Sequence, residues 1–340
     1  MIGAQRVWTA WGFVGANALP ASLLYLGPDI YIEQVSEHRQ AQLGRSGPRL
    51  VHPNTPWPDY FSALPAEVVV HSQWAIWIRT TASTFSDAWD EIERKKVPLV
   101  VAALAGFNHM PPRVELLRIG ETAPDGTIID PKSRWVGGTF GGFATRELSG
   151  SEADIVVARY HAARKHGTVA SRIWHEATVL ADKSDGSPRS MANIILTFFQ
   201  VIEHIANYER PTGVDPAASD TRAAKKLVDK LAIDLNHDQL ALTKKIGKIH
   251  AARDELFRIE ERFLTQKIIA AKEVLGLDDP VVDSALAIAK LRNKALSHPG
   301  AELPETLAAW VEPAARTSAA FLTAHLDART ERAPLGGGLA

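Results

Sequence analysis

Apolar positions recur with two different periods along this chain, and the change of period divides it. In the first 150 residues the pattern is mixed, with strands prominent. Val7 to Leu19 is an apolar run interrupted by Thr9, Gly12, Gly15 and Asn17, which suits a buried strand. Ser22 to Val35 holds two short strand-like pieces around Gly27-Pro28. Five prolines between residues 44 and 66 predict loop there (Pro48, Pro53, Pro56, Pro58 and Pro65). Val68-Val69-Val70 leads into Trp74, Ile76 and Ile78, which alternate with Ala75 and Trp77, a buried strand or hairpin. Ser86 is placed to cap a helix over Asp87–Lys96, ended by Pro98. Leu99 to Leu104 fits either helix or strand. Arg113 to Ile119 reads as a strand, and Asp125-Gly126 as a turn that lets Thr127 to Ile129 pair back.

Beyond residue 150 the period becomes helical. Glu152–Lys165 and Ser171–Asp182 are predicted helices separated by His166-Gly167, and they form a connecting region with the linker Lys183–Pro188. Further helices follow at Met191–Tyr208, Ala217–Leu235, His237–Ile246 and from about Lys248 to Leu275. Asp279-Pro280 opens the next, with proline in the favoured first turn. Its apolar residues Ala285, Leu286, Ile288, Ala289, Leu291, Ala295 and Leu296 keep helical spacing until Pro299-Gly300. Pro304 opens the last helix, to about Arg329, before a glycine-rich tail. The expected fold class is α+β. A mixed α/β domain with prominent strands spans 1–150, connecting helices and linker 151–187, an all-helical domain 188–329, and a flexible tail 330–340.

Composition narrows the chemistry. The 340 residues are 46% hydrophobic and 23% charged, with a net charge of -1. That is ordinary globular composition, long enough for two domains, and it argues against a surface coated in basic residues. The absence of cysteine removes disulfides, thiolate zinc sites and cysteine nucleophiles. No apolar run reaches the length of a bilayer span, and a cytoplasmic protein is expected. The glycine-rich VGGTFGGF at 136–143 lacks the Gly-Lys-Ser/Thr ending of a phosphate-binding loop. His161, His166, His175 and Glu176 lack the one-face spacing of a helical zinc motif. Seven of the nine tryptophans precede residue 150, so they form either a core or a recognition surface.

The helix from Asp283 carries Arg292, Asn293 and His298 near its end. Arginine grips phosphate bidentately and keeps its charge. Histidine exchanges protons near neutrality. The same loose spacing, arginine then histidine, recurs at Arg45 to His52 and Arg159 to His166. Only the match at Arg292 has an adjacent asparagine and a proline that ends its helix. On an ideal helix, six residues rise about 9 Å and turn about 120° off the starting face. Arg292 and His298 therefore meet only if the helix kinks or a second subunit completes the site. Lys290 and Lys294 are the cations best placed to attract phosphate, and Glu203, an acid on an apolar helix, needs a partner if it is buried.

With these features residues 188–329 resemble the HEPN domain family (higher eukaryotes and prokaryotes nucleotide-binding). The resemblance implies an all-α HEPN-like bundle that dimerises with motif helices facing. It implies a metal-independent endoribonuclease without cofactor, with Arg292, Asn293 and His298 catalytic, Glu203 supporting, and Lys290 and Lys294 binding RNA. Fusions of this kind resemble bacterial toxin or abortive-infection proteins, in which a protein or phage-derived trigger acts on the second domain. The alternative is a non-catalytic HEPN-like dimeric module that binds RNA, a nucleotide or a partner protein.

Overall fold

The computed structural model describes residues 5–16, 18–20, 23–34, 51–52, 55–56, 74–107, 111–124, 128–133, 146–209, 217–236, 241–293 and 305–330. The chain divides into two compact units, residues 1–178 with 326–340, and residues 179–325. An antiparallel sheet dominates the first and helices the second, so the class is α+β. Among the described residues, no helix is long and apolar enough to cross a membrane.

The first unit begins with β1 (Arg6–Gly15), β2 (Ala18–Pro20), β3 (Leu24–Gly27) and β4 (Ile30–Gln34). Two-residue strands β5 (Val51–His52) and β6 (Thr55–Pro56) pair with each other. Then come β7 (Trp74–Ala82), β8 (Arg113–Thr122), β9 (Ile128–Ser133) and β10 (Arg146–Leu148). The main sheet has the order β3-β4-β7-β1-β8-β9, antiparallel throughout. Its central strands are apolar on both faces, because β1 is buried from Trp8 to Val14. Trp11, Trp77 and Tyr31 lie opposite one another across β1, β7 and β4 and stack, at 5.8 and 6.1 Å between rings. Trp8, Trp11, Trp74, Trp77 and Trp89 are all buried, so these five belong to the core. Trp57 and Trp135 lie outside the described residues.

One layer of helices packs on this sheet: α1 (Phe85–Glu91), α2 (Val97–Ala103) and α3 (Gly150–His166). Thr84, not Ser86, caps α1, its hydroxyl accepting from the Asp87 amide. Pro98 does not end the helix. Ile92–Lys96 winds as a wide π-type turn, and Pro98 enters the first turn of α2, where its missing N–H costs little. Leu99 to Ala103 is therefore helix. Ser149 and Glu152 form a capping box at α3, and hydrogen bonds from Arg146 hold the Glu152 carboxyl down to about 2.

Arg159 of α3 reaches across 168 residues of sequence to Asp327. Its fork makes two 2.6 Å bonds to that carboxylate and a 2.9 Å bond to the Ala105 carbonyl. The guanidinium also lies 4.8 Å from the Phe107 ring centre. Arg159 of that match is thus a structural tie, and Arg45 of the other match lies outside the described residues.

Helix α4 (Thr168–Asp182) carries His175, whose Nδ1 is buried without a hydrogen-bond partner among the described residues. Burial pushes its pKa from 6.5 down to about 4, partly opposed by nearby Glu93. The unfolded chain therefore binds this proton first. The stabilisation is fully present above pH 6.5 and is lost as pH falls toward 4, by about 3 kcal/mol at the shift given. Urea unfolding at pH 7 and pH 4 should show that loss, and His175→Phe should remove it. An equally steep loss in the variant would assign the acid sensitivity to other groups.

The helical unit contains α5 (Pro188–Tyr208), α6 (Ala217–Leu235), α7 (Leu242–Leu275) and α8 (Asp279–Leu291). A short 3₁₀ turn, Glu305–Leu307, precedes α9 (Ala308–Thr330), which contains Pro313. The expected break near residue 247 is absent: α7 runs 34 residues through Gly247. One interior glycine costs only about 1 kcal/mol, which the rest of so long a helix absorbs. Helix α7 ends at Gly276, whose φ of 64° is left-handed and whose N–H caps the Lys272 carbonyl. Ser187, at the end of the expected linker, caps α5 by accepting from the Ser190 amide.

Candidate functional site

Helices α5 and α8 pack against each other and carry the described part of the candidate site. Helix α8 buries Val282, Ala285, Ile288 and Ala289, which fixes the direction in which its last turn points. Arg292 follows as the helix-ending residue, still with helical dihedrals. At Arg292 and Asn293 the winding widens to a π-type turn. Such turns add a residue to the helical cycle and recur at functional sites. His298 and Lys294 lie outside the described residues.

Arg292 meets three groups. Its Nη2 is 4.0 Å from Glu203 Oε2, and its Nη1 donates to Asn293 Oδ1 at 3.4 Å. Its guanidinium carbon is 5.7 Å from the Phe199 ring centre. The side chains of Arg292 and Glu203 are 24% and 31% exposed, so this ion pair is lined by protein and open to solvent. At 4.0 Å in such a setting the pair orients more than it stabilises, by well under about 1 kcal/mol. The fork keeps donors to spare for an anionic ligand. Lys290 is exposed on the preceding turn.

Sequence reasoning placed Glu203 against Arg292 and missed Phe199. The signal was present, since Phe199 and Glu203 are four apart on one helix and so share a face. His204, beside Glu203 on the same apolar helix, is held below the ordinary imidazole value by burial.

No protein-family model matches the chain, and neither does any curated protein or solved structure. The reading of this site thus rests on its own chemistry. Among the described residues, no three His, Asp or Glu side chains are grouped to hold a metal ion.

Proposed function

We propose that the helical unit is a HEPN-like bundle acting as a metal-independent endoribonuclease, and that the chain is a bacterial toxin or anti-phage effector regulated by its N-terminal unit. The observation that carries this reading is the setting of Arg292. It is a permanent cation at the end of a packed helix, braced by Glu203 and Asn293, partly open to solvent, six residues before a histidine.

The reaction is an internal transesterification. The RNA 2′-hydroxyl attacks the adjacent phosphorus as its proton leaves to a base. The 5′-oxygen of the next nucleotide departs with a proton from an acid. His298 serves one of these proton transfers. Arg292 neutralises charge that grows on the phosphorane oxygens. Asn293 orients the phosphate or the imidazole, and Lys290 and Lys294 draw in the backbone. A homodimer through α8 supplies the second half of each site.

The full-length protein incubated with single-stranded RNA and a chelator should give products ending in 2′,3′-cyclic phosphate. RNA with a single 2′-deoxy at the cleaved position should remain intact there. Cleavage of DNA at a comparable rate would overturn the reading.

A second reading keeps the same fold without chemistry: a dimeric HEPN-like module that binds RNA, a nucleotide or a partner protein. The engagement of Arg292 by Glu203 favours it, because part of the cation is already neutralised. Retention of RNA by the protein with no cleavage over long incubation would select this reading.

A further inference from the structure

On the reading of the helical unit as an endoribonuclease, we infer that Glu203 reads a base and that the site selects guanine beside the phosphate held by Arg292. Glu203 Oε2 stands 4.0 Å from Arg292 Nη2, too far for a hydrogen bond. Among the described residues this carboxylate has no hydrogen-bond partner, and 31% of the side chain is exposed. A carboxylate has two oxygens that accept and none that donates. It repels phosphate. The part of an RNA strand that offers donors to both oxygens at once is a base edge.

The helix around Glu203 suits that role. From Asn193 to Tyr208, α5 has one formally charged residue, Glu203 itself. Its water-facing side carries Asn193, Gln200, Glu203, His204 and Asn207, all exposed or half-buried. At about 100° per residue these five span about 100° of arc. Charged residues usually fill a face turned to water. This face instead carries amides beside a single carboxylate, the groups that bond to base edges. Phe199, whose ring centre is 5.7 Å from the Arg292 guanidinium carbon, borders the face about 40° from Glu203. Lys290 and Arg292, the cations for the phosphates, lie on or at the end of α8, which packs on α5. One helix thus serves the strand's backbone and its neighbour the base.

The donor pattern selects the base. Guanine presents N1–H and the N2 amino group side by side, two parallel donors that match the two carboxylate oxygens. Adenine and cytosine present one amino group beside an acceptor nitrogen. Uracil presents one N–H between two carbonyl oxygens, which face the carboxylate with like partial charge. Single-stranded RNA leaves this edge open to a protein. A good bidentate pair discriminates by about 5- to 150-fold.

The test uses the full-length protein and a strand of uridines with one central guanosine, in parallel with strands carrying inosine, adenosine or cytidine there. Cuts beside guanosine should exceed those at the uridine linkages by at least ~10-fold. Inosine lacks the N2 amino group and should lower cutting at that point by at least ~5-fold. Glu203→Gln keeps the size of the side chain but turns a donor toward guanine. It should bring cutting beside guanosine to within ~2-fold of the uridine linkages and leave those linkages nearly unchanged. A residue that only braced Arg292 would lower every linkage alike. Non-cleavable 2′-O-methyl strands, followed by fluorescence anisotropy, should show the same order in binding, which tests the base preference even if the protein binds without cutting. Cutting or binding without base preference would overturn the inference and leave the proposed function standing. So would a guanine preference that inosine or Glu203→Gln retains. Neither cutting nor binding of any strand would overturn both.

Discussion

His298→Ala should lower RNA cleavage by about two to four orders of magnitude, the range that a lost general acid or base costs. Stability should move far less. The residue stands one position before the proline that closes the motif segment, where truncating a histidine costs on the order of 1 kcal/mol or less. The two effects separate because turnover reports one and thermal unfolding the other. Arg292→Lys should be strongly impaired although the charge remains. A lysine is a point charge and cannot grip a phosphate through two parallel bonds while Glu203 and Asn293 hold the same group. Glu203→Gln should be milder, since a partly solvated 4.0 Å contact orients more than it binds. A His298→Ala protein that cuts at the wild-type rate would remove the proposed chemistry and leave the binding module.

Much of this architecture was legible because periodicity reports burial. The alternation around Trp74, Ile76 and Ile78 became β7, and the change to helical period near residue 150 marks the passage from sheet to helices. Local chemistry misled where two local rules competed. Pro98 reads as a breaker, yet a wide turn before it lets the chain stay helical. Gly247 beside Lys248 reads as a stop, yet α7 passes through. Long-range pairings had no local signal. Nothing near Arg159 announces Asp327, and strand order does not follow from strand content. At the candidate site, the sequence alone said that Glu203, an acid on an apolar helix, needs a partner, and only the family resemblance pointed to Arg292. The widening of the winding at Arg292 and Asn293 had no such signal.

Gly12→Ala should destabilise the first unit by about 3 kcal/mol or more, at or above the top of the usual range for overpacking. Strand β1 lies at the centre of the sheet, paired with β7 on one side and β8 on the other. Its register with β8 shifts between Trp11 and Gly12, where β8 carries one extra residue. At that bulge the β8 backbone closes on Gly12. A Cβ there would sit 1.9 Å from the Glu115 carbonyl oxygen and 2.8 Å from the Leu116 Cα. Both are main-chain atoms, so no side chain can swing aside. Relief requires β1 or β8 to move, and both are held by neighbouring strands. In a unit of this size the loss corresponds to a fall in melting temperature of about 6–12 °C. Gly150→Ala is the matched control, because a Cβ at Gly150 meets nothing within 4 Å in the first turn of α3. It should lie within about 0.5 kcal/mol of wild type. Thermal unfolding of the three proteins, followed by circular dichroism, checks the pair. Equal stability of Gly12→Ala and Gly150→Ala would mean that β1 and β8 do not meet in this register.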